Sequence, residues 1–77
     1  NKFHSLIPMY IVWEQRRGSE VQHGEFIGID DAVKTAVDLA LKNRGIVFGV
    51  SWQLRDKHKR VISHAFVWSS DQFVPVK

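Results

Sequence analysis

Cysteine is absent from the 77 residues. No disulfide framework and no thiolate metal site can form, which excludes most small secreted scaffolds. Long apolar runs are missing as well. Nothing approaches the roughly 20 consecutive apolar residues of a membrane span, and no signal-peptide pattern is visible. The expected setting is a reducing cytoplasm with no membrane contact. Catalytic signatures are equally scarce. The four histidines, His4, His23, His58 and His64, show none of the HxxxH or HExxH spacings of metal sites. No glycine-rich phosphate loop leads into a helix, and no serine sits in a nucleophile elbow. Asp30-Asp31 has the form of a carboxylate pair, but a helix N-terminus accounts for it more simply. Catalysis needs several groups converging on one place, and only single ones occur here. The sequence therefore points to no enzyme, no cofactor and no metal.

A chain of this length makes one domain, expected over residues 1–77, with a small core. At this size folding buries about 60–65% of the surface of the unfolded chain, so stability is modest without a partner or a second copy. The apolar fraction of 44% is that of a folded protein.

The local patterns give five elements. Residues 6–17, LIPMYIVWEQRR, begin with an apolar run that is β-branched and aromatic, too short for a core helix and suited to a strand. Gly18-Ser19 reads as a turn. Residues 20–29 return as a second strand, with Gly24 marking a bulge. Asp30 is the expected N-cap of a helix whose apolar stripe is Val33, Ala36, Val37, Ala40 and Leu41. Gly45 suits the residue that stops it. Residues 46–54 alternate, with Phe48, Val50, Trp52 and Leu54 on one face. Residues 61–68 form the returning strand, with Ile62, His64, Phe66 and Trp68 expected on one face. The tail after residue 71 has room for a short edge segment. The order is β-β-α-β-β. The first strand is more apolar than the second and belongs in the centre, which gives an antiparallel sheet of order 2-1-3-4 with the helix on one face. The fold class is α+β.

Charge is concentrated in one place. The stretch RDKHKR, residues 55–60, holds four cations and one carboxylate, and it carries the whole formal net charge of +3. In the expected topology this hairpin tip and the Arg16-Arg17 tip lie at opposite ends of the sheet. Nucleic-acid binders present contiguous basic stripes interleaved with stacking aromatics. Here the aromatics are mid-strand and the cations are at turns, so a solvated turn is the simpler reading of 55–60. The alternative is a nucleic-acid contact through Arg55, Lys57, Lys59 and Arg60.

The strands carry bulky apolar side chains on both faces, and one helix covers only part of one face. The remainder awaits the termini, a second copy of the chain forming a homodimer through the open sheet face, or another protein. The aromatic anchors expected for such an interface are Tyr10, Trp13 and Trp68, with Arg16 and Arg17 as rim charges. Trp52 is expected in the core.

In length and element order the chain resembles small phage-encoded inhibitors, namely certain anti-CRISPR proteins and phage inhibitors of host RNA polymerase. The pieces that carry the resemblance are MYIVWEQRRGSEV, IDDAVKTAVDLALKNRG and IVFGVSWQLRDKHKRVISHAFVW. It implies a stoichiometric, non-enzymatic inhibitor in the host cytoplasm. Such a protein would sterically block a host defence or transcription complex, a protein or ribonucleoprotein assembly.

Overall fold

The computed structural model describes residues 6–72. Two strands, β1 (Ile7–Arg16) and β2 (Ser19–Phe26), form a hairpin and lead into helix α1 (Ile29–Lys42). A second hairpin follows, β3 (Phe48–Arg55) and β4 (Val61–Ser69), closed by a 3-10 turn at Ser70–Gln72. The sheet order is β2-β1-β3-β4, every neighbouring pair is antiparallel, and α1 contacts β1, β2 and β3. Fold class, element order and strand order are those expected. The edge segment expected of the C-terminal tail, and His4, lie outside the described residues.

Opposed residues of an antiparallel pair share a face, so the register assigns the two sides of the sheet. Val12 faces Val50, Glu14 faces Phe48 and Tyr10 faces Trp52, all toward the helix. Ile11 faces Ser51, Trp13 faces Gly49 and Met9 faces Gln53, on the opposite side. The alternation expected of β3 is therefore present. The core holds Val12, Phe48 and Val50 from the sheet and Ala32, Ala36 and Ala40 from the helix. Ser70 is buried beside it, and its hydroxyl accepts a hydrogen bond from the Phe48 backbone N–H at 2.8 Å, which ties the end of β4 to the start of β3.

Several details differ from expectation. The N-cap is Gly28, with extended backbone and no side-chain bond, so Asp30 and Asp31 occupy the first helical turn instead. Their negative charge still favours the positive end of the helix dipole. The buried stripe runs through Ala32, Ala36 and Ala40, with Val33 and Leu39 flanking it, and Leu41 is 52% exposed. Residues four apart lie on one face, and small alanines let the helix lie close against the bulky side chains of β3. Trp52 is half-buried and lies outside the cluster of fully buried residues. At its other end the helix stops at Asn43, whose backbone N–H and side-chain amide both donate to the Leu39 carbonyl; Gly45, at φ 92°, lies beyond the end.

Bulges decide what the edge strands present. In β2 the pairing jumps from Val12–Gly24 to Trp13–Gln22, which leaves His23 as the extra residue beside Gly24. Gly24 takes φ 147°, a region that side chains disfavour, so the glycine permits the bulge anticipated there. In β4 the pairing jumps from Val50–Trp68 to Ser51–Phe66, with Val67 as the extra residue. One inserted residue shifts the alternation by one. Trp68 therefore joins Val50 on the helix side, while Phe66 and His64 share the other side with Ser51 and Gln53. The expectation that Phe66, His64 and Trp68 share a face is corrected accordingly.

Candidate interaction face

The side of the sheet away from α1 is the candidate site. β1 sets its centre. Ile11 is fully buried there although it points away from the helix. Trp13, the next side chain along that face, leans toward β3, and its indole N–H donates to the Ser51 hydroxyl at 2.5 Å. Directly across from Trp13 is Gly49, which has no side chain, and beyond it runs β4. The result is a groove of about 510 Å³ whose lining includes Trp13, Gly49, Phe66 and Val67. Phe66 stands on its rim at 69% exposure. Val61, Ile62 and Val67 are also exposed large apolar residues of the same strand. From 61 to 68, VISHAFVW, β4 has no aspartate, glutamate, lysine or arginine.

The anchors expected from sequence meet only in part: Trp13 and Trp68 both line the groove, and Tyr10 does not. Tyr10 packs against the core from the helix side, and Trp68 packs against the core while also lining the groove. Phe66 is the exposed aromatic there. Sequence alternation missed it because the Val67 bulge sets Phe66 and Trp68 on opposite sides. Arg16 and Arg17 stand at the β1–β2 turn and line a second, larger groove of about 810 Å³ together with Gly45 and Val47.

Arg16 is engaged. Its Nε donates to one oxygen of Glu14, and the other oxygen lies 2.6 Å from His23 Nε2. The Glu14 carboxylate is held below its ordinary value of 4.5, chiefly by the hydrogen bond from Arg16 and then by that with His23. The same contact raises Arg16. The His23 ring also sits 5.6 Å from the Phe48 ring. This trio joins the β1–β2 hairpin to the edge of the core on the helix side. His64 lies on the other edge strand and the other face, so the two histidines form no common site.

The basic tip is a built turn. Asp56 accepts bonds from the backbone N–H groups of His58 at 2.8 Å and Arg60 at 3.0 Å, and from the Arg60 side chain at 3.1 Å. The N–H of Lys59 donates to the Asp56 carbonyl, and that of Asp56 to the Arg60 carbonyl. These bonds, the Arg60 backbone N–H foremost, lower the Asp56 carboxyl. Arg55 donates to Gln53 and reaches across β1 to Glu25 at 3.1 Å. Of the four cations considered for nucleic acid, Arg55 and Arg60 thus face carboxylates, while Lys57 and Lys59 are exposed. Ile7 opposes Arg55 and Glu14 opposes Phe48, so the tip and the Arg16-Arg17 turn stand at opposite ends of the sheet, as expected.

Among the described residues, no three histidine, aspartate or glutamate side chains gather as a metal site, and no helix is long and apolar enough to cross a membrane. Comparison with protein-family models, with curated proteins and with solved structures finds no match to this chain.

Proposed function

We propose that this protein is a non-enzymatic binding module that docks on another protein through the side of its sheet away from the helix. One observation carries the reading. An uncharged edge strand exposes Phe66, Ile62, Val61 and Val67 beside the Trp13 groove, with no helix of the described residues over them. Contiguous apolar surface of this kind marks interaction sites, and an aromatic anchor within a charged rim is how interfaces concentrate their energy. Arg55 and Glu25 supply polar rim groups at one end of the face, and Gln15 and Glu20 at the other. The mode of action is steric: the module occupies a surface that a larger assembly needs. Its size and element order, shared with small phage-encoded inhibitors, support a phage or mobile-element protein that blocks a host defence or transcription complex in the host cytoplasm.

The test is affinity capture of tagged protein from nuclease-treated bacterial lysate. A protein partner retained at a fixed stoichiometry, and lost with Phe66→Glu, supports the reading. Loss of every partner on nuclease treatment would transfer the function to nucleic acid and to Lys57 and Lys59. That contact would then weaken steeply with added salt, because phosphate binding releases counterions.

A further inference from the structure

We infer that the groove between the β1–β2 turn and the α1–β3 connection binds an acidic peptide segment, one that carries carboxylates beside an aliphatic side chain. Arg16 and Arg17 line it from the turn, and Ile46 and Val47 line it from the connection. Positive charge here is largely uncommitted. The Glu14 carboxylate also lines the groove, but one of its oxygens is held by Arg16 and the other lies beside His23, so its charge is already answered. Arg16 spends its Nε on that contact, and a guanidinium carries five N–H donors. Arg17 is exposed, as is Arg44, two residues before Ile46. Among the described residues, no carboxylate pairs with Arg17 or Arg44. Lys42, in the last helical turn, meets the negative end of the helix dipole, which leaves the two arginines for a ligand. Glu20, the carboxylate that follows the turn, lines the Trp13 groove instead.

The lining also selects the kind of anion. Single-stranded nucleic acid is held where cations lie beside aromatic side chains on which bases stack. Among the described residues, no aromatic lines this groove. Half-buried Ile46 and Val47 supply an aliphatic surface in their place. Guanidinium forks match carboxylates through paired hydrogen bonds. A peptide that alternates carboxylates with aliphatic side chains satisfies both features. Gln15 and Val47 line this groove and the Trp13 groove alike, so one partner chain can run from the apolar face round the end of the sheet. The inference does not depend on that face: the arginines take an acidic segment whichever surface anchors the rest of the partner.

Fluorescence anisotropy tests it, with a labelled peptide of alternating glutamate and leucine and its glutamine–leucine counterpart. The measurement is made at about 0.1 M salt, where exposed charges more than about 10 Å away are largely screened. The acidic peptide should bind, and the glutamine peptide should bind about tenfold more weakly or less. Arg17→Gln with Arg44→Gln should weaken the acidic peptide about tenfold, as expected for the loss of charge-assisted hydrogen bonds. Phe66→Ala, and Lys57→Gln with Lys59→Gln, should each leave it within a few-fold of wild type. All five positions are exposed, and circular dichroism checks that each variant is folded. No binding of the acidic peptide, equal binding of the glutamine peptide, or a loss with the lysine or Phe66 variants in place of the arginine variant would each overturn the inference. Tighter binding of a labelled oligothymidylate of equal charge would overturn it too, and would assign the groove to phosphate.

Discussion

Lys59 holds its backbone at φ 65° so that the β3–β4 hairpin can close. A non-glycine residue is strained there, because its Cβ crowds the following carbonyl. The position follows a turn whose first residue, Asp56, gathers the neighbouring amides. Glycine would remove the strain and give back part of the gain as extra freedom in the unfolded chain. Lys59→Gly should therefore stabilise the protein by about 0.5–1 kcal/mol, read as a rise in the urea midpoint. At the far end of the sheet, Glu14 contributes to the acid limb of stability, as Asp56 does at the tip. The Glu14 carboxyl is lowered in the folded state by Arg16 and His23. The stabilisation is thus present above the ordinary carboxylate value and is lost as pH falls through the lowered one. Glu14→Gln should lower stability at neutral pH and flatten its fall below the ordinary value of 4.5, measured as urea midpoint against pH. A parallel loss at every pH would show that Glu14 acts by packing alone.

The helix meets the sheet through alanine. Ala32 and Ala36 are fully buried and Ala40 nearly so, and they set the distance to Val12, Phe48 and Val50. A larger side chain at the centre of that seam has nowhere to go. Ala36→Leu should cost about 1–3 kcal/mol in urea unfolding, although leucine is a good helix former. The same element shows what the sequence could and could not convey. Val33, Ala36 and Ala40 were legible as an apolar stripe, and the acidic first turn as a helix start, because both are local properties of the chain. The inclusion of Ala32 and the exposure of Leu41 follow from how the helix is rotated against the sheet, which local periodicity does not fix. The strands behave alike. Alternation in β3 was readable because its register with β1 is unbroken from Glu14–Phe48 to Ile7–Arg55. The bulge in β2 was readable because it needs a glycine. The Val67 bulge uses no glycine and exists only through the mismatch of β4 with β3, so no residue announced it. The separation of Phe66 from Trp68, and with it the composition of the candidate face, came from that mismatch.

On the scale of the whole molecule, the arrangement separates charge from apolar surface. The cations of the two hairpins stand at the two ends of the sheet, and the uncharged edge and the Trp13 groove lie between them. The basic tip and the apolar face are thus two surfaces that substitutions can address singly. Lys57→Ala with Lys59→Ala removes two exposed cations of the tip, and Phe66→Glu places a charge on the rim of the groove; all three residues are exposed. The most direct measurement is the affinity of wild-type protein and these two variants for the partner captured from nuclease-treated lysate. An interface anchored by Phe66 predicts that Phe66→Glu weakens binding tenfold or more, on the order expected of an interface anchor, while the double lysine variant binds within a few-fold of wild type. Loss of binding with the lysine variant and none with Phe66→Glu would contradict it, and would assign the function to the basic tip.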